Sequence, residues 1–106
     1  MSLPPLSDQE RAAALKKAAV ARTIRSDIKH GLKSGSVTVA AVINAASGEP
    51  ALGRLKVTDL LEALPGIGKV RATVIMSELG IAPTRRVRGL GIHQRRMLVD
   101  YLGQEL

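Results

Sequence analysis

Cysteine is absent from the 106 residues, which excludes a disulfide framework and every cysteine-bearing zinc finger. Two isolated histidines, His30 and His93, fall short of the three or four ligands of a zinc site. Neither a metal nor another cofactor is expected. Tyr101 is the only aromatic residue, so the stacked rings on which single-strand binders lay successive bases are excluded as well. No apolar run is long enough to span a bilayer, and Met1-Ser2-Leu3-Pro4-Pro5 lacks the charged and apolar regions of a signal peptide. The expectation is a soluble cytoplasmic protein with no membrane partner and no small-molecule substrate.

What is present is one small domain's length of chain with 14 Leu, 7 Ile and 9 Val, enough for a modest core. Sixteen Lys and Arg stand against nine Asp and Glu, for a net charge of +7. Such a surface attracts polyanions, and without stacking rings a duplex backbone is the better target. The charge is concentrated at the two ends: residues 1–35 carry a net +4, residues 36–53 carry only Glu49, and residues 54–106 carry a net +4.

Ser7-Asp8-Gln9-Glu10 is a capping box, and six alanines between Ala12 and Ala21 favour a helix that runs over residues 8–33 and stops at Gly35. At 100° per residue, Arg11, Arg22, Arg25, Lys29 and Lys33 share an arc of about 80°, beside a second arc of Val20, Ile24, Ile28 and Leu32. The alanine-rich first half has little to bury, so residues 1–35 are expected to form an arm and residues 36–106 a compact body. Ser36 or Thr38 can cap a short helix carrying Val39, Val42 and Ile43, closed by the turn Ser47-Gly48-Glu49-Pro50. Thr58-Asp59 then opens a helix that uses Leu60, Leu61 and Leu64 and ends before Pro65. Val70, Val74, Ile75 and Leu79 mark the inward face of the next helix, which ends at Gly80, and Leu98, Tyr101 and Leu102 that of the last. Apart from Val37-Thr38-Val39 no period-two alternation occurs, so the fold class is all-α.

The segment Leu64-Pro65-Gly66-Ile67-Gly68-Lys69-Val70-Arg71-Ala72 lies between two expected helices and resembles the helix-hairpin-helix motif of non-specific duplex binders. Its glycines permit positive φ and close backbone approach, and the free amides of Gly68, Lys69 and Val70 open a helix whose dipole favours an anion. Pro65, Gly66, Ile67, Gly68, Lys69 and Arg71 are therefore candidate phosphate-site residues, with Ile67 plugging the hairpin against the core and Gly68 expected to need both freedoms. A nucleotide-binding P-loop would require four residues between the glycines and Ser or Thr after Lys69, and neither condition holds. A glycosylase would need a carboxylate some twenty residues downstream, where Val87-Arg88-Gly89-Leu90-Gly91 has none. No catalytic residue is expected.

A second Gly-apolar-Gly turn, Gly89-Leu90-Gly91, follows Arg85, Arg86 and Arg88 and repeats Gly66-Ile67-Gly68 at a spacing of 23. Arginine's rigid fork suits phosphate oxygens and a narrow minor groove, which makes Arg85, Arg86, Arg88, Gly89 and Gly91 a second candidate contact. Arg22, Arg25, Lys29 and Lys33 on the long helix are the third. Arg95 and Arg96 keep the last helix basic at its start, although Ile92 follows no favoured capping residue.

Three stretches together carry a wider resemblance: residues 3–15 (Leu3-Pro4-Pro5-Leu6-Ser7-Asp8-Gln9-Glu10-Arg11-Ala12-Ala13-Ala14-Leu15), Lys56-Val57 with Leu60 to Ala72 and Ile75-Met76, and Ile81-Ala82-Pro83-Thr84 with the arginine loop through Gly91. The chain resembles the actinobacterial integration host factor family, which is unrelated in fold to the heterodimeric enteric factor of the same name. The resemblance implies a long N-terminal helix and a helix-two-turns-helix body similar to that of a small-subunit ribosomal protein. It also implies a nucleoid-associated protein that binds double-stranded DNA with little sequence preference, alters its shape or topology, and assists phage integrase complexes. Val37 to Gly53 departs from the family by being more apolar and less charged. A monomer is expected. The alternative is an RNA-binding or ribosome-associated protein, and a third class is an adaptor docking a helix on the Val20, Ile24, Ile28, Leu32 arc.

Overall fold

The computed structural model describes residues 7–105, so the expectations resting on Met1 to Leu6 and on Leu106 lie outside the described residues. Six helices follow one another: α1 (Asp8–Ser34), α2 (Val39–Ala46), α3 (Pro50–Gly53), α4 (Val57–Glu62), α5 (Lys69–Glu78) and α6 (Ile92–Glu105), with a 3₁₀ turn at Val87–Gly89. No strand occurs among the described residues. The nearest approach to one is an isolated antiparallel bridge between Lys56 and Arg86.

Ser7 starts α1 as expected, its Oγ accepting from the Glu10 amide at 3.1 Å, and Gly35 stops it at φ 82°. Over 27 residues the helix is about 40 Å long. Residues 8–20 are exposed on every side, whereas Ile24 and Ile28 are half-buried and Leu32 is fully buried. The helix is thus an arm at one end and a wall of the core at the other, and the molecule is drawn out to 51 × 32 × 25 Å. Its radius of gyration, 16.0 Å, exceeds the roughly 13 Å of a compact domain of this length for the same reason. At the junction, Val37 packs so closely on Gly31 that a Cβ there would lie 2.5 Å from Cγ2. Any side chain at Gly31 would have to displace Val37.

Thr38 caps α2, its Oγ1 accepting from the Ala41 amide at 3.1 Å. The turn expected at Ser47 to Pro50 is followed at once by helix. Pro50 occupies the first position of α3 instead of closing a turn, because its fixed φ suits a helix start and Glu49 accepts from the Ala51 amide. Small as it is, α3 sits at the centre of the body, against α1, α2 and the 3₁₀ turn. α4 begins one residue earlier than Thr58, with Lys56 at its cap. The cause is the pairing across the Lys56–Arg86 bridge: Val57 N donates to Arg85 O at 3.0 Å and Val87 N to Leu55 O at 2.9 Å. These bonds fix the backbone before the hydroxyl of Thr58 is reached.

One face expected from the sequence is corrected. Val70 and Val74 do not point inward; they are 80% and 47% exposed. Burial of Ile67 sets the rotation of α5 at its entry, and Ala72, Ile75 and Met76 form the buried stripe, with half-buried Leu79 completing it. In α6, Leu98 and Leu102 are buried and Tyr101 is half-buried. Among the described residues the core is wholly aliphatic apart from Met76, and no polar or charged residue is buried.

Truncation should separate these classes. Leu60→Ala, at a site with no exposure, is expected to cost about 2–5 kcal/mol in denaturant unfolding. Val70→Ala should change stability by less than about 0.5 kcal/mol, and a larger loss would contradict the rotation of α5.

Candidate nucleic-acid interface

The hairpin between α4 and α5 is built around one buried side chain. Ile67 is 7% exposed, while Pro65, Gly66, Gly68, Lys69 and Arg71 are all exposed. The Ile67 amide donates to Leu64 O at 3.3 Å, and Gly66 turns the chain at φ 78°. Gly68 is the helix cap, and no side chain caps it. The first bond of α5 runs from Ala72 N to Gly68 O at 2.9 Å, so the amides of Gly68, Lys69 and Val70 precede the ladder and face outward at the positive end of the helix. Gly68 itself has φ −93°, which corrects the expectation that it needs a left-handed backbone. Its Cβ would enter open space, so what glycine leaves clear here is access to the amides.

α1 meets the hairpin along its basic face. Ser26, Lys29, His30 and Lys33 form one wall of a cleft of about 490 Å³, with Leu64, Pro65 and Gly66 beside them. Asp59 and Glu62 of α4, both half-buried, share its lining. Two carboxylates therefore moderate the cationic character of this cleft. Arg22 and Arg25 lie one to two turns further up α1; Arg22 is exposed and Arg25 half-buried.

The arginine loop lies at the other end of α4, tied there by the Lys56–Arg86 bridge. Arg85, Arg86, Arg88, Gly89 and Gly91 are exposed. Arg86 Nη1 donates to Arg54 O at 2.6 Å and Arg85 Nη1 to Gly89 O at 3.3 Å, so both forks are braced by backbone carbonyls. The two Gly-apolar-Gly turns are not geometrically alike: Leu90 is buried as Ile67 is, but neither Gly89 nor Gly91 has a positive φ. Gly89 ends the 3₁₀ turn, and Gly91 precedes α6. The missing cap before Ile92 is supplied from within the helix. Gln94 Oε1 accepts from the Gly91 amide at 3.1 Å while its Nε2 donates to Gly80 O at 3.2 Å, linking the end of α5 to the start of α6.

Arg54 and Arg95 were not among the expected contact residues. With Arg88 they line a concavity of about 270 Å³ whose remaining wall is Ala46, Ser47, Pro50 and Gly53. These arginines are 34 to 41 positions apart along the chain from Arg54, and only the packing of α3 against the 3₁₀ turn unites them. No local pattern would have found the group. Among the described residues no set of three or more His, Cys, Asp and Glu is placed to hold a metal ion, and no helix is long and apolar enough to cross a membrane.

The fold and the hairpin define a helix-two-turns-helix protein: the family model of the S13-like H2TH domain matches residues 32–102. The integration host factor of Mycobacterium tuberculosis (strain ATCC 25618 / H37Rv) is 52% identical over 103 residues, 97% of this chain and 98% of that protein. That of Streptomyces coelicolor (strain ATCC BAA-471 / A3(2) / M145) is 51% identical over 94 residues, 89% and 88% of the two chains. A solved structure described as sIHF bound to an 8bp palindromic DNA superposes with a TM-score of 0.75 at 44% identity, covering 85% of this chain and 97% of that one. The chain belongs to this integration host factor family.

The two hairpin glycines should respond differently to a methyl group. Gly66→Ala is expected to lose about 1 kcal/mol or more in thermal or denaturant unfolding because of its left-handed φ. Gly68→Ala should leave the midpoint essentially unmoved, and equal losses at both sites would contradict this geometry.

Proposed function

We propose that this chain is a nucleoid-associated architectural protein that binds double-stranded DNA as a monomer, chiefly through phosphate contacts and with little sequence preference. Integration host factors of this family are not enzymes, and neither hairpin lysine nor arginine loop has a carboxylate positioned for glycosylase chemistry in the sequence. The observation that carries the proposal is the hairpin: a buried Ile67 holds an exposed, uncapped helix start outward, flanked by Lys69 and by the lysines of α1. The arginine loop adds rigid forks at the other end of α4, and a relative of the same fold is described with DNA bound. DNA-contacting residues in this proposal are Arg22, Arg25, Lys29, Lys33, the hairpin from Pro65 to Arg71, and Arg85, Arg86, Arg88, Gly89 and Gly91.

Such contacts fix the protein on a duplex without reading its bases. Held at two places about one short helix apart, and along an arm of 27 residues, the duplex is offered contacts that offset the roughly 1 to 6 kcal/mol of a 40 to 90° bend. Altered DNA shape is the service such a protein renders to phage site-specific recombination, in company with the integrase, and the nucleoid is where it acts.

Salt dependence tests this directly. Six neutralised phosphates predict a slope of log K against log salt of about −5, and a slope shallower than about −2 refutes backbone engagement. Lys69→Ala and Arg86→Ala should each reduce the slope by about one on every duplex alike. Gly68→Val should weaken binding without a matching loss of stability, by covering the amides. Accelerated ring closure of a short duplex reports bending. Tighter binding of structured RNA than of duplex DNA at equal salt would move the chain to the RNA-binding class, which the S13-like match makes the relevant competitor.

A further inference from the structure

We infer that Arg54 and Arg95, with Arg88, form a further phosphate-binding site that extends the arginine loop's grip on the duplex over α3 and onto α6. The inference rests on the DNA-binding proposal and adds two residues and a surface to it. Arg88 lines two neighbouring concavities. One also holds Arg85, Arg86 and Gly89, and the other holds Arg54 and Arg95. Through that shared side chain, five arginines form one continuous surface.

Three features mark the second concavity as an anion site. No carboxylate lines it, in contrast to the hairpin cleft, where Asp59 and Glu62 face the lysines. Among the described residues, no hydrogen bond or ion pair engages the guanidinium of Arg54 or Arg88. Arg95 is half-buried and uses only Nε, which donates to Leu90 O at 3.1 Å, so its two terminal nitrogens remain for a ligand. Three like charges drawn together without a counter-charge repel one another, and an oxyanion between them relieves that repulsion while accepting from their forks.

The segments that bring them together are braced from outside the site. Arg86 Nη1 holds the carbonyl of Arg54, and the Leu90 carbonyl holds Arg95. Gly53 lets the 3₁₀ turn approach α3, since a Cβ there would come within 3.3 Å of both Ala46 O and Arg88 Cβ. Ala46, Ser47, Pro50 and Gly53, none of them charged, form the rest of the wall and keep the concavity positive. Glu49, the one acid of this stretch, is not part of the lining and accepts from the Ala51 amide at 3.4 Å.

The test compares wild type, Arg54→Gln and Arg54→Gln/Arg95→Gln for duplex binding across a salt series, with folding checked by thermal melts. Arg54→Gln removes a side chain with no partner in the described protein, so it is the variant that keeps its fold. Each lost phosphate contact should lower the slope by about one and weaken binding at 0.1 M salt about eightfold. Wild-type slope and affinity in Arg54→Gln, while Lys69→Ala reduces both, overturn the inference and leave the DNA-binding proposal standing. A shallow wild-type slope overturns both. A readout without DNA separates the sources of phosphate: the arginine Nε–Hε resonances titrated with inorganic pyrophosphate. Saturable shifts at Arg54 and Arg95, larger than those at Arg22 on the arm, support a built anion site. Such shifts without any effect of Arg54→Gln on duplex binding assign the site to a free phosphorylated molecule and overturn the duplex assignment.

Discussion

Burial of Ile67 between two exposed glycines is the contact on which the rest of the interface depends. It anchors the hairpin from inside, so that the uncapped amides of α5 can face outward without the loop collapsing over them. It also sets the rotation of α5, placing Ala72, Ile75 and Met76 against α4 and leaving Val70 and Val74 outside. A single aliphatic side chain thereby connects core packing to surface chemistry. Leu90 does the same for the arginine loop, although its turn uses different backbone geometry and different ligands for its amides.

The core that receives these anchors is small and almost purely aliphatic, and it is closed by surfaces of unequal kinds. α1 contributes Leu32 and, in part, Ile24 and Ile28, then runs on without cover through its alanine-rich half. Propensity sustains that half, since alanine needs no burial to favour helix. The cation-bearing arm is thus held by one end only, where Leu32, Ile28 and Ile24 meet the core and Val37 fits closely on Gly31.

Much of this was legible in residue patterns. The capping box at Ser7, the stop at Gly35, the cap at Thr38 and the exposed hairpin with its buried isoleucine follow from local chemistry, and local chemistry is what a single sequence records. The departures come from packing and from backbone detail that residue spacing does not record. Val70 and Val74 carry the right spacing for an inward face, but the rotation of α5 is decided by Ile67 and α4. The start of α4 is moved by bonds from Arg85 and Val87, some thirty residues away. Gly68 looks like a conformational glycine and is one only in the sense of leaving room. The Arg54, Arg88 and Arg95 group is invisible along the chain because α3, four residues long, is what assembles it.

The kinds of cation are also divided between the two parts of the molecule. Residues 1–35 carry four lysines and three arginines, whereas residues 54–106 carry two lysines and seven arginines. Lysine is a mobile point charge that raises local attraction without fixing an orientation, while the arginine fork holds geometry when its stem is braced. The arm has an exposed first half, and among the described residues Lys16 and Lys17 on it make no side-chain hydrogen bond or ion pair. In the body, Arg85, Arg86 and Arg95 each use one nitrogen on a backbone carbonyl and keep the others for a ligand. In the proposed complex, an arm that attracts broadly and a body that positions rigidly would suit a ligand offering the same phosphate at every step. The one aromatic ring of the chain, Tyr101, is half-buried in α6, so the charged surfaces rather than rings make up the exposed chemistry of both parts.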